Sequence, residues 1–310
     1  MQTAVYFMCM NAERDEVAPQ VMAAIQDKYK LSELEWQVDD YAVLEYKDSD
    51  NNQFLFIRTN VVLCQDQFRY QSVLDQLKDV SLIGMVNWHG GQNAPDKILA
   101  IHTVGDVTSA HFPPSKPIYA TNIARALEHY RVAAQLDDFT VTTEATHWSG
   151  IVYGGHVDWL NDLHAPLVDI EIGSTSESYN NTTAVTVIAD AIMDVFAEDK
   201  KYPTVLYVGG VHFENTITDA VLHPTHPVNL THILPSRWIE NDTYVDGAGM
   251  TSIKKCIQSI DGGIDAFVIH EKLKKPAKDL IRELSDELGL PIIKRKAFKT
   301  PENTILYTEI

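Results

Sequence analysis

Apolar runs of strand length alternate with stretches of helical period along almost the whole chain. The runs AVYFMCM, YAVLEY, FLFIRT, LIGMVNW, ILAIHTV, FTVTTEAT, PLVDIEI, TVLYVGG, NLTHIL, AFVIH and TILYTE predict strands. Helical spacing predicts helices over Val17–Tyr29, Gln67–Lys78, Asn122–Gln135, Asn181–Phe196, Met250–Ser259 and Ala277–Leu288. Two of these carry start signals: Thr121 ahead of NIARALEHY, and Pro276 at the opening of AKDLIRELSDELG, a segment that also stops on Gly289 and Pro291. Such alternation predicts an α/β fold with a mixed, largely parallel central sheet flanked by helices. DSDNNQ at 48–53 reads as a hairpin tip, and HFPPSKP at 111–117 as a rigid loop.

No repeat, low-complexity tract or long linker breaks this rhythm, so 1–310 reads as one domain. The opening MQTAVYFMCMNAERDE has a seven-residue apolar run with charges directly behind it, and reads as an edge or first strand rather than a signal peptide. No window approaches bilayer-spanning length, so no membrane partner is expected. Cys9, Cys64 and Cys256 form no CxxC pair and read as buried, reduced thiols of a cytoplasmic protein. GxGxxG and P-loop signatures are absent, which argues against dinucleotide and NTPase chemistry.

Charge changes the picture unevenly. The net charge of −18 argues against a non-specific polyanion binder, and no DNA partner is expected. Residues 251–310, however, hold 11 Lys/Arg against 9 Asp/Glu, whereas the first 250 hold 14 against 34. This last segment is a distinct, more basic C-terminal subregion. Its EKLKKPAK and IIKRKAFK runs put Lys272, Lys274, Lys275, Lys294, Arg295 and Lys296 forward as phosphate contacts, with solvated helix and strand ends as the plain alternative.

In open α/β sheets ligands gather beyond the carboxyl ends of strands. His89 follows LIGMVNW, Glu144 and His147 end FTVTTEATH, and Glu171 closes PLVDIEIG. His212 follows TVLYVGGV, His232 lies in NLTHILP, and His102 interrupts ILAIHTVG. A lone strand-end histidine is an ordinary core residue; six such positions in one chain read better as a site. Histidine with carboxylate suits acid–base work, metal ligation or gripping a polar group. Glu144-x-x-His147 follows a β-rich run and is not a helical zincin motif. His223-x-x-His226 lies between prolines and reads as a rigid surface loop. Trp88 and Trp148 read as core fillers beside the histidines.

In order, HGG…ILAIHTVGD, FTVTTEATHWSG, PLVDIEIGSTSESYNN, YVGGVHF and NLTHILPSRW resemble the motifs of the archaeal- and plant-type D-aminoacyl-tRNA deacylases, over roughly residues 80–240. The resemblance implies a fold related to peptidyl-tRNA hydrolases and phosphorylases. It implies hydrolysis of the ester joining a D-amino acid to the terminal ribose of tRNA, with charged tRNA or its aminoacyl-adenosine end as partner. Carried onto this chain, the motif residues are His89, His102, Glu144, His147, Glu171, His212 and His232. The resemblance associates zinc with the site, and His102, Glu144, His147 and His232 are the ligands it suggests. In that scheme Glu144 and His147 polarise water, directly or through zinc, while His89 and His102 serve the ribose leaving group. His212, His232 and Glu171 hold the amino group or complete the metal shell. Backbone N–H groups at Gly90–Gly91 or Gly209–Gly210 face the oxyanion.

The chain departs from that pattern at several points. Trp148 stands where the family has a second histidine, and Tyr179 is the nearest aromatic after EIGS. VHFENTITD replaces a GHYAP-like segment and keeps only His212, and the opening strand lacks an aspartate-containing turn. Two other functions therefore stay open: a nucleosidase or peptidyl-tRNA hydrolase-like enzyme on the same architecture, and a silent module that binds a nucleotide or tRNA end. A monomer is expected in each case.

Overall fold

The computed structural model describes residues 1–91, 94–241, 244 and 248–308. The larger sheet is built from β1 (Thr3–Cys9), β2 (Ser32–Val38), β3 (Tyr41–Lys47), β4 (Gln53–Thr59), β5 (Leu82–His89), β6 (Lys97–Thr103), β7 (Thr140–Thr143) and β8 (Leu167–Ser174). Their order is β2-β3-β4-β1-β5-β8-β6-β7. The centre is parallel from β4 through β1 and β5 to β8, while β6 runs antiparallel to β8 and parallel to β7. The smaller sheet is wholly parallel, with order β10-β9-β11-β12 for β9 (Val205–Val208), β10 (Ile233–Leu234), β11 (Ala266–Ile269) and β12 (Ile292–Lys294).

Strand side chains alternate between two faces, and the sequence exploits that period. Tyr6, Met8, Val86, Val168, Ile170 and Ile172 enter one core with helices α1 (Ala18–Lys28), α2 (Pro117–Ala133) and α3 (Thr182–Ala191). That core also takes Val205, Tyr207, Ile233, Ala266 and Val268, so it joins the two sheets. Val5, Phe7, Ile83, Met85 and Leu167 point the other way, against Tyr70, Leu74, Trp148 and Trp159. On this second face the pattern changes character toward the strand ends. Ile83 and Met85 are followed by Asn87 and His89, and Leu167 by Asp169 and Glu171; all four polar residues are buried. The outer face of the smaller sheet packs Leu206, Val208, Phe267 and Ile269 on helices α5 (Gly249–Ser259) and α6 (Lys275–Leu288); α4 (Asn215–Val221) lies between β9 and β10 in sequence.

Several expectations are corrected. The opening run is the first strand, as one of its two readings has it, but not an edge: β1 is hydrogen-bonded on both sides and buried from Ala4 to Cys9. α2 begins at Pro117, not after Thr121, because proline at the first helical position needs no N–H partner; the Thr121 hydroxyl instead donates to the Pro117 carbonyl, at 2.8 Å. The Gln67–Lys78 helix shrinks to a 3₁₀ turn over Gln67–Tyr70 and one α turn over Gln71–Leu74. The TILYTE run is helical over Ile305–Thr308 rather than a strand, an ambiguity inherent in short apolar runs, and Glu309 lies outside the described residues. The smaller sheet begins with β9 at Val205 and ends with β12 at Lys294. The three cysteines are buried and unbonded, and among the described residues no helix is long and apolar enough to cross a membrane.

Asp15 links local structure to stability. Its Oδ1 accepts from the Val17 and Ala18 amides at 2.8 and 3.0 Å, capping α1 after β1. Burial outweighs those bonds and raises the carboxyl to about 7. The folded state therefore binds this proton more tightly than the unfolded chain. The stability it contributes is full below about pH 4 and is lost as pH rises through 7. Asp15→Asn retains the capping oxygen and removes the titration. Thermal melts should show it matching the parent at pH 4 and exceeding it at pH 8; equal melting temperatures at both would contradict the assignment.

Candidate active site

The buried polar face of the larger sheet meets the carboxyl ends of the smaller sheet's strands. After β7 the chain leaves the sheet and stitches itself to the second at the loop after β9 and at β10: the Ala145 amide donates to the His212 carbonyl and the Thr146 amide to that of Ile233, both at 3.0 Å. This seam sets Glu144 beside His212. One carboxylate oxygen, Glu144 Oε2, accepts from His212 Nε2 at 2.9 Å and lies 3.2 Å from His89 Nε2. His89 Nδ1 is held by Ser174 Oγ at 2.9 Å, so both of its nitrogens are committed. His212 has its Nε2 on Glu144 and a third of its side chain exposed, which leaves Nδ1 for the cleft.

His147 donates Nδ1–H to the Ala145 carbonyl at 2.8 Å, which fixes its tautomer with a free Nε2 lone pair. Its ring stacks on His102 at 3.9 Å and lies 5.0 Å from His212. His102 is fully buried; its Nδ1 donates to the Thr103 carbonyl, and Nε2 faces Asp169 Oδ2 at 3.7 Å. Asp169 in turn accepts from Asn87 Nδ2 at 2.5 Å.

Electrostatics separate these groups. Burial pushes the Glu144 carboxyl up, but hydrogen bonds from His212 and His89 outweigh it and hold the group well below the usual carboxylate range. Glu171 and Asp169 move the other way: burial raises both, the charge of Asp169 adds to it at Glu171, and that of Glu144 at both. Burial lowers His147 to about 4 and His102 well below its ordinary value. One carboxyl held ionised thus sits near two imidazoles held neutral, His147 and His102, and two carboxyls whose proton affinity is raised. Environments that drive like groups apart in this way are how a site assigns acid and base roles.

Of the seven motif residues six converge here, and His232 does not. His232 is turned away: Nδ1 meets the Thr103 and Thr146 hydroxyls at 3.0 and 3.2 Å, and Nε2 the Ser259 hydroxyl at 3.1 Å. Burial lowers it to about 3, and it is a satisfied core histidine bracing the seam. Gly90, Gly91 and Gly210 line the cleft, but the Gly209 N–H is spent on the Leu234 carbonyl at 2.7 Å. Gly209 and Gly210 both have positive φ, 105° and 77°, and a Cβ on Gly210 would fall 2.5 Å from Glu214 Oε2, so glycine is required at this turn. Trp148 is buried and stacked on Trp159 at 5.1 Å. His223 accepts the His226 amide through Nδ1 at 3.0 Å, a bond that stiffens their loop.

Asn87, Asp169, Ser174, Arg237 and Trp238 were not found from the sequence. Asp169 had a usable signal, a carboxylate two residues from Glu171 in a buried strand, hence on the same face. Arg237 and Trp238 close the motif NLTHILPSRW, but no chemistry was read on them until β10 placed them at the cleft. The cleft has two arms that share His89, Gly90, Gly91, His147, His212, Arg237 and Trp238, with volumes of about 430 and 780 Å³, within the range of ligand sites.

The chain is 26% identical to the D-aminoacyl-tRNA deacylase of Pyrococcus abyssi over 92% of this chain and 98% of that one. It is 24% identical to the enzyme of the same name from Caldivirga maquilingensis, over 82% and 91%. The crystal structure of a conserved protein of unknown function, AF0625, superposes with a TM-score of 0.75 at 19% identity, over 96% of this chain and 97% of that one, and so shares the fold. The family model for D-aminoacyl-tRNA deacylase matches residues 76–293, a span that carries β5 through β11 and the whole His/Glu cluster, and the chain belongs to that family.

Proposed function

We propose that this protein hydrolyses the ester bond of D-aminoacyl-tRNA, releasing the D-amino acid and free tRNA. The observation that carries the reading is the buried Glu144 carboxylate holding partly exposed His212 by one nitrogen beside an open cleft. His212 Nδ1 takes a proton from water as the water oxygen attacks the ester carbonyl. The tetrahedral oxyanion collapses, the ribose oxygen leaves, and it receives that proton from the imidazolium. Glu144 stabilises the imidazolium and fixes its tautomer, a role worth about 10²–10⁴-fold for a positioned base. His147, kept neutral by burial, orients the water through Nε2. Gly90 and Gly210 set backbone amides at the cleft for the oxyanion.

The donor set fits zinc. Glu144, His147 and His212 offer one carboxylate and two imidazole ligand atoms, all within 4.8 Å of one another, and Glu144 Oε1 is buried without a hydrogen-bond partner among the described residues. His212 takes the place in this set that His232 was expected to fill. A bound Zn²⁺ would supply a water acidified to a pKa of about 7.

Among the basic residues, Arg295 is paired with Glu214 and Glu271, at 3.5 and 3.0 Å, Lys274 with Glu240 at 2.9 Å, and Lys275 with Asp279 at 3.2 Å. Lys272 and Lys296, just past the carboxyl ends of β11 and β12, and Lys294, the last residue of β12, are exposed without an ion pair among the described residues. They lie at the same end of the parallel sheet as His212 and are the phosphate contacts of this reading. The double variant Lys272→Glu with Lys296→Glu should weaken tRNA binding and flatten its log–log salt dependence by roughly 1.5–2; an unchanged slope would move the acceptor stem elsewhere.

Release of D-tyrosine from D-tyrosyl-tRNA, with L-tyrosyl-tRNA as control, tests the reaction. Runs before and after chelation, and with zinc restored, test the metal. Release from the D-ester supports the reading; no release by folded protein under any of these conditions rejects it.

A further inference from the structure

The two arms of the cleft differ in charge. The wider arm includes Asp106 and Glu171 in its walls. The narrower arm runs over Gly210, Val211, Phe213 and Pro235, and among its described lining residues there is no carboxylate and, histidines aside, Arg237 is the only charged side chain. In a chain of net charge −18 such an arm is a local exception. Arg237 is exposed and has no ion pair among the described residues, although most arginines in this structure are paired.

Trp238 adds a flat apolar surface directly beside the reacting groups. Its ring lies 5.8 Å from His212 at 83° and 6.5 Å from His147. It is half-buried against the core that joins the sheets, which fixes its plane while one part faces the arm. Both residues follow β10 at the carboxyl end of the smaller sheet. The strand order there is β10-β9-β11-β12, so the crossover direction reverses at β9 and β11, the location where parallel sheets bind ligands. Fixed aromatic planes stack bases whatever their sequence, and arginine pairs with phosphate.

We propose that Arg237 and Trp238 seat the terminal purine nucleotide of the substrate, Trp238 stacking the base and Arg237 pairing with the phosphate. They are positioning residues: standing where the two arms meet, they bring the ester to His212, with the base and phosphate toward the carboxylate-free arm and the aminoacyl side chain toward the wider one. The proposal rests on the deacylase reading for the identity of the substrate.

The test compares two esters of one D-amino acid, D-tyrosyl-tRNA and D-tyrosine ethyl ester, the second lacking any nucleotide. For Arg237→Ala and Trp238→Ala, the ratio of kcat/KM on the tRNA ester to that on the ethyl ester should fall about 10-fold or more, with the loss in KM. Trp238→Phe should recover most of it, because it keeps a stacking face. An unchanged ratio in both alanine variants, or a loss confined to kcat, overturns the seat while leaving the deacylase reading in place. If the wild-type chain cleaves neither ester, calorimetric titration with adenosine 5′-monophosphate decides: weaker binding by both alanine variants supports the seat, and affinity equal to wild type in both overturns it.

Discussion

Replacing Glu144 with glutamine is expected to lower kcat on D-tyrosyl-tRNA by about 10³-fold while leaving the protein folded. In the native site one carboxylate oxygen serves two imidazole nitrogens, His212 at 2.9 Å and His89 at 3.2 Å. An amide is nearly the same shape but has only one acceptor oxygen and brings two N–H donors. With its oxygen in the Oε2 place the amide still takes both histidines but buries its NH₂ at the Oε1 position, which has no partner; turned round, it sets its own donors against those of the histidines. The negative charge that stabilises the imidazolium is lost as well. His212→Ala should cost a similar factor, and the double variant little more than either alone, because the pair acts as one unit. Single-turnover release of tyrosine, with a melting curve as control, measures this. A kcat within threefold of the parent for Glu144→Gln would remove the dyad from the mechanism.

Ile170→Ala should produce the largest loss of stability we expect from a single truncation, about 2–5 kcal/mol, and a melting temperature lower by roughly 10 °C. Ile170 is fully buried on central strand β8, between β5 and β6, in the core that joins both sheets, and the rigid strands on either side cannot collapse into the space it vacates. Its neighbours in sequence, Asp169 and Glu171, point to the opposite face and into the site. Well below the new melting temperature, kcat/KM should therefore remain within a few-fold of the parent. Residues adjacent in sequence would thus divide cleanly between holding the fold and forming the site. A deep loss of activity in folded Ile170→Ala would mean that the register of β8 is softer than its packing implies.

The strand-and-helix alternation in the sequence was enough for the α/β class and for most elements, because burial imposes periods of 2 and 3.6 on apolar residues wherever they occur. It failed where a period carries little information: the short apolar run at 304–309, and the edge strand β2, whose SELEWQV is largely exposed. The motifs likewise marked His89, Glu144, His147, Glu171 and His212, since charged or imidazole groups inside apolar runs must be satisfied by something. What that something was lay beyond one dimension. His232 has the same sequence character as His212, yet two threonines and a serine absorb it. Arg295 looks like a free cation until Glu214 and Glu271 close on it. Arg237 and Trp238 acquire a role only because β10 ends at the cleft. Local periodicity determined which segments are strands and which of their faces are buried. Long-range pairing of the chain after β7 with the loop after β9 and with β10 decided which polar groups meet, because contacts between residues some 70 to 90 positions apart leave no periodic trace in the sequence.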